Sequence, residues 1–111
     1  FQSEPNCEAY AAAKGGIVAL THALAVSLGP EVRVNALAPG WIDSAPLAKR
    51  SARTVPQHDA EDHAQHPAGR IGQVEDVAAT VAFLAGEGAA FMTGETIVLD
   101  GGMSRRMRYA E

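Results

Sequence analysis

Apolar positions in the first quarter of the chain recur with helical spacing. Tyr10, Ala13, Ile17, Leu20, Leu24 and Leu28 fall at i, i+3, i+4 and i+7 separations, with no proline between Cys7 and Leu28. This predicts an amphipathic helix of about five to six turns. Its other side carries Ala11, Gly15, Val18, Ala19 and Val26, so both faces are expected to be buried, one on a sheet and one on a second helix of this or another subunit. Gly29-Pro30 ends it. From Glu31 to Ala38, Val32, Val34, Ala36 and Ala38 alternate with Arg33, Asn35 and Leu37, the pattern of a strand that Pro39-Gly40 stops. Asp43 to Gly72 differs, with three Pro, three His and weak periodicity. So long a stretch predicts a functional loop or lid with short helical turns. Val74, Val77, Ala78, Val81, Leu84 and Ala85 make one apolar stripe, a helix over Val74–Ala85 with Glu75 and Asp76 favouring its first turn. Thr96–Leu99 reads as a buried strand closed by Asp100-Gly101-Gly102.

A strand, a helix and a second buried strand imply a parallel pair joined by a right-handed crossover, an α/β arrangement. Two strands cannot cover two helices, so most of the sheet is expected to lie in N-terminal strands missing from this chain. The first residue is Phe1, not Met, and the chain is read as a piece of something longer or processed. At 111 residues it allows one domain at most. The 22 Ala and 11 Gly suit close packing of helices on a sheet. A net charge of −4 argues against nucleic acid as the main partner. The single Cys7 excludes an internal disulfide and favours a reducing, cytoplasmic setting. No apolar run approaches about 18 residues, and a membrane partner is not expected.

Tyr10 and Lys14 lie four apart on the first helix, on one face and one turn apart. Tyrosine ordinarily titrates near ~10, too high for base work at neutral pH, but an ammonium alongside stabilises the phenolate. Such a pair can exchange a proton with a substrate oxygen. On spacing alone, an ordinary helix with one Tyr and one Lys remains open.

Context narrows the choice. Tyr10-Ala11-Ala12-Ala13-Lys14-Gly15-Gly16 opens the helix, and Val32-Arg33-Val34-Asn35-Ala36-Leu37-Ala38 delivers Pro39-Gly40. His66-Pro67-Ala68-Gly69-Arg70-Ile71-Gly72, Glu75-Asp76-Val77-Ala78, Thr93-Gly94-Glu95-Thr96 and Asp100-Gly101-Gly102 follow. In this order and spacing the chain resembles the C-terminal half of the short-chain dehydrogenase/reductase (SDR) family. The resemblance implies that residues 1–111 are the C-terminal segment of one doubly wound parallel-sheet (Rossmann) domain, with ligands at the carboxyl ends of the strands. It implies an oxidoreductase that interconverts an alcohol and a carbonyl with NAD or NADP. Tyr10 matches the family's acid/base, and Lys14 matches the residue that holds the nicotinamide ribose and tunes the tyrosine. Pro39-Gly40-Trp41-Ile42-Asp43-Ser44 matches the P-G-x-x-x-T segment. There the residue matching Ile42 offers backbone groups to the carboxamide, and Ser44 keeps a hydroxyl where Thr is usual. Residues 43–72 match the substrate lid. The family's glycine-rich phosphate loop, catalytic serine and further asparagine have no counterpart among these residues. The resemblance also implies a homodimer or homotetramer built on the first helix and the last strand. The alternative is a non-catalytic truncated SDR fragment acting only in oligomerisation.

Three further groups read as structural. His58, His63 and His66 match no zinc spacing and have no Cys nearby, so no metal is expected and a solvated loop is. Arg105, Arg106 and Arg108 read as a solvated or interface tail, and Cys7 as a small packing residue.

Overall fold

A computed structural model describes residues 3–52 and 58–107. Its elements, in chain order, are α1 (Glu8–Leu28), β1 (Ala36–Pro39), β2 (Ile42–Asp43), α2 (Ala60–Ala64), β3 (Gly72–Gln73), α3 (Val74–Ala85) and β4 (Thr96–Leu99). Single 3₁₀ turns occur at Ala45–Leu47, Arg50–Ala52, Glu87–Ala89 and Met103–Arg105. The fold is α/β. Two compact units are distinguished, one of Phe1–Ala38 with Val81–Ile97 and one of Pro39–Thr80 with Val98–Glu111. Part of the stretch expected to be a lid, residues 53–57, lies outside the described residues, as do Phe1 and Arg108.

In the first unit, α1 packs through a different stripe from the one its periodicity suggests. Thr21 and Ala25 are buried and Val18 half-buried, while Tyr10, Ile17, Leu20, Leu24 and Leu28 stay exposed. The cause is the approach of Gly94, whose backbone adopts φ +76° and lies against His22 and Ala25. Only a residue without a Cβ takes that conformation freely. Thr21 can be buried there because its hydroxyl donates to the Ile17 carbonyl at 2.7 Å. Within this chain, most of α1 on either side of that stripe is left uncovered. By length and composition alone the helix is long and apolar enough to cross a membrane, although Lys14 and His22 interrupt any continuous apolar run. A core helix of an α/β protein passes the same test.

The strand expected over Glu31–Ala38 is confined to Ala36–Pro39. Its first half makes other hydrogen bonds. Val32 N–H donates to the Leu28 carbonyl, and Val34 N–H to the Thr93 hydroxyl. The Arg33 guanidinium donates to the Leu84 and Met92 carbonyls at 2.7 and 3.2 Å. Asn35 donates to the Met92 carbonyl at 2.9 Å and accepts from Glu95 N–H at 3.2 Å. Arg33 and Asn35 thus tie this stretch to the end of α3 and the turn before β4.

β1 and β4 are neighbours in a two-stranded sheet. Ala36 N–H donates to the Glu95 carbonyl and Gly40 N–H to the Leu99 carbonyl. Both partners advance together along the chain, so the pair is parallel, as the strand–helix–strand order requires. In the second unit, β2 and β3 form a further parallel pair with Ile42 opposite Gly72 and Asp43 opposite Gln73. This pair brings together the two ends of the stretch read as a loop. α2 starts on a reciprocal capping box, in which Asp59 Oδ1 accepts from Asp62 N–H at 2.8 Å and Asp62 Oδ2 from Asp59 N–H at 3.1 Å.

Candidate active site

Tyr10 and Lys14 stand in the first turns of α1, where 3.6-residue periodicity stacks them on one face. The Lys14 Nζ lies 5.4 Å from the centroid of the Tyr10 ring, within cation–π range. Both side chains are exposed, Tyr10 at 66%. Gly15 and Gly16 follow on a surface where an added Cβ would meet nothing within 4 Å. Cys7 precedes the helix, half-buried, with its thiol on the Glu4 carbonyl at 2.8 Å, a packing position.

The Pro39–Ser44 segment belongs to the second unit. Pro39 ends β1. Gly40 passes so close to the end of β4 that a Cβ there would lie 2.6 Å from the Asp100 Cβ. Trp41 gives its carbonyl to Gly72 N–H at 3.0 Å. In a parallel ladder successive residues bond to alternate sides, so the N–H and C=O of Ile42 point away from β3. Ser44 is exposed, and its hydroxyl makes no capping bond to the 3₁₀ turn it precedes. Asp43 Oδ1 accepts from Ala45 N–H at 3.0 Å and fixes the turn.

The carboxylates around this segment are committed to structure. Arg70 grips Asp76 through two bonds of 2.7 and 2.8 Å, and Asp76 also accepts from Gln73 N–H. Hydrogen bonding to Arg70, reinforced by the Gln73 N–H, holds the Asp76 carboxyl well below the usual carboxylate range. Asp100 is lowered too, first by the Ser104 side chain and then, against a cost of burial, by the N–H groups of Ser104 and Gly102. Trp41, Ile42, Ala68 and Leu99 wall a pocket of about 170 Å³ in the same unit.

One reading of the loop is corrected. His58, His63 and His66 are not a solvated set: His66 is buried at 3% exposure, and all three rings join an aromatic cluster with Trp41. Among the described residues no three metal-ligating side chains converge. In the tail, Arg105 and Arg106 are exposed, and the Arg106 guanidinium donates to the Ala64 carbonyl at 3.1 Å. Sequence reading quoted Trp41 and Asp100 within motifs but gave neither a role. The P-G-x-x-x-T match contained Trp41, but nothing in it announced the ring's partners.

The comparisons agree with this architecture. The family described as Enoyl-(Acyl carrier protein) reductase matches residues 1–104. An apo SCOR enzyme from Clostridium thermocellum superposes with a TM-score of 0.81 at 55% identity, covering 98% of this chain and 40% of that one. The chain belongs to the short-chain dehydrogenase/reductase family. Among relatives, an uncharacterized oxidoreductase of Thermotoga maritima is 50% identical over 113 residues, which is 100% of this chain and 44% of the relative. The 3-oxoacyl-(acyl-carrier-protein) reductase FabG of Pseudomonas aeruginosa is 45% identical over 96 residues, 85% of this chain and 37% of that protein. This SDR chain therefore spans less than half the length of the relatives it matches.

Proposed function

We propose that this chain supplies the acid/base pair and the nicotinamide cradle of an NAD(P)-dependent SDR oxidoreductase that interconverts an alcohol and a carbonyl. The observation that carries the reading is the exposed Tyr10 phenol with the Lys14 ammonium one turn below it, 5.4 Å from the ring. Tyr10 donates its phenolic proton to a carbonyl oxygen in reduction and takes it back in oxidation. Lys14 keeps a positive charge beside the phenol and offers its N–H groups to ribose hydroxyls. The cradle fits a nicotinamide: Gly40 brings backbone close, Ile42 turns its N–H and C=O away from β3, and Ser44 presents a hydroxyl with no capping bond. Those groups would hold the carboxamide. The cofactor, when bound, supplies or accepts the hydride.

Residues 1–111 then form the C-terminal segment of one Rossmann domain, with 43–72 as substrate lid. A small carbonyl or alcohol is the partner, with neither nucleic acid nor membrane, in the cytoplasm. Exposed Ile17, Leu20 and Leu24 on α1 and the second edge of β4, unpaired among the described residues, support a homodimer or homotetramer. The same exposed residues favour a second reading, a segment acting only in oligomerisation. Turnover separates the two. Tyr10→Phe in the full-length protein should lower NAD(P)H-dependent carbonyl reduction by roughly 10²–10⁴-fold with cofactor binding retained. Wild-type turnover in that variant would reject the assignment.

A further inference from the structure

The aromatic cluster of the second unit joins two segments that the proposed function treats separately. The Trp41 ring lies in the cradle, and His58, His63 and His66 lie in the lid. Trp41 meets His58 edge-on, with centroids 5.6 Å apart at 88°, and His66 at 6.0 Å and 54°. His58 in turn meets His63 edge-on at 6.3 Å and 86°. These are the separations and tilts at which ring pairs attract.

Hydrogen bonds lock the lid side of the cluster. His66 Nδ1 faces the Asp62 carbonyl at 3.2 Å. A carbonyl only accepts, so the proton sits on Nδ1. His66 Nε2 is buried without a hydrogen-bond partner, so the outer part of this ring is held by packing. His63 Nδ1 accepts from Ile71 N–H at 3.1 Å, which ties α2 to the return strand β3. On the cradle side, the Trp41 carbonyl accepts from Gly72 N–H. One residue thus grips the lid twice, by its ring near the lid's middle and by its backbone at the lid's end.

We propose that Trp41 is a positioning residue that seats residues 58–66 of the lid on the cradle, so that lid order and nicotinamide seating are one linked equilibrium. The second clause rests on the cradle reading above. The first rests on the ring geometry alone.

Hydrogen exchange of the full-length protein tests both. The amides of His63, Gln65 and His66 donate within and just after α2 and report lid order. Without cofactor, Trp41→Leu should speed their exchange by roughly 2- to 12-fold for each ring pair it breaks, with α1 amides unchanged. Trp41→Phe, which keeps a ring, should restore much of the protection. Saturating NADH or NADPH should slow exchange at 58–66 in the wild type and not in Trp41→Leu. If Trp41→Leu does not fold, His58→Ala removes one ring from the lid side and should also speed exchange at His63, Gln65 and His66. Unchanged exchange in the cofactor-free variants overturns the proposal. So does equal cofactor protection of 58–66 in wild type and Trp41→Leu. A wild type whose residues 39–44 gain no protection from either dinucleotide rejects the cradle reading, and the cofactor-free comparison still decides whether Trp41 holds the lid.

Discussion

Gly40→Ala is the sharpest test of how the cradle is built. A Cβ at this position would lie 2.6 Å from the Asp100 Cβ and 2.9 Å from its Cα, against about 3.5–4.0 Å for a relaxed carbon pair. Neither backbone can retreat freely. Gly40 N–H is bonded to the Leu99 carbonyl at 2.9 Å, and Asp100 anchors Gly102 and Ser104 N–H, each at 2.9 Å. Gly40 is not among the residues with positive φ, so the penalty is steric and not conformational. Overpacking of this kind costs about 1–3 kcal/mol, and the anchored neighbours place it in the upper half of that range. Stiffening of the unfolded chain returns ~0.4–1 kcal/mol, leaving a net loss of roughly 1–2.5 kcal/mol. With a urea dependence of about 1–3 kcal/mol per molar, the unfolding midpoint of the full-length protein should fall by roughly 0.3–2.5 M. Affinity for NAD(P)H should fall with it, because the shift starts where the cradle starts. Gly15→Ala is the control: an added Cβ there meets nothing within 4 Å, and a helical Gly→Ala change should stabilise by roughly 0.5–1 kcal/mol. A Gly40→Ala midpoint equal to or above the wild type would refute the reasoning.

Other outcomes follow from the same geometry. Arg33→Met removes charged hydrogen bonds to two carbonyls and should cost about 2–4 kcal/mol in urea unfolding. The folded Asp100 carboxyl titrates below its unfolded value, so its contribution to stability is present above the ordinary carboxylate range and is lost as pH falls through the folded value; Asp100→Asn should flatten the acid side of a stability–pH curve. Ala19→Glu on the exposed side of α1 should weaken assembly in light scattering, and a wild type that runs as a monomer at micromolar concentration would end the oligomer proposal.

Sequence periodicity carried the longer elements well. The Val74–Ala85 stripe has the structure's own boundaries because it holds enough residues for its period to register; the apolar run Thr96–Leu99 also keeps its bounds, but none of its residues is buried in this chain. α1 was legible as a helix, but its packed stripe was not, since the choice of Val18, Thr21 and Ala25 is made by a turn some 70 residues later in the chain. The alternation from Val32 to Ala38 misled because Arg33 and Asn35 bond to α3 and the β4 turn instead of extending a ladder. β2 and β3 have two residues each, too few for any period. The capping box of Asp59 and Asp62 that starts α2 was passed over in the sequence, where the stretch read as a loop with short helical turns. The Trp41 cluster is tertiary and left no mark on local pattern. Of the candidate site, Tyr10, Lys14 and the Pro39–Ser44 segment were legible as motifs, whereas the closeness of Gly40 to Asp100 needed the fold.

The central claim is that Tyr10 and Lys14 act as one unit in proton transfer. A double-mutant cycle on kcat/KM for NAD(P)H-dependent carbonyl reduction by the full-length protein measures this directly. Tyr10→Phe, Lys14→Met and the double variant are compared with the wild type. Residues that act together are strongly non-additive, so the double variant should be no slower than Tyr10→Phe alone, within about threefold. Losses that multiply, or a Tyr10→Phe variant with wild-type kcat/KM, would contradict the account.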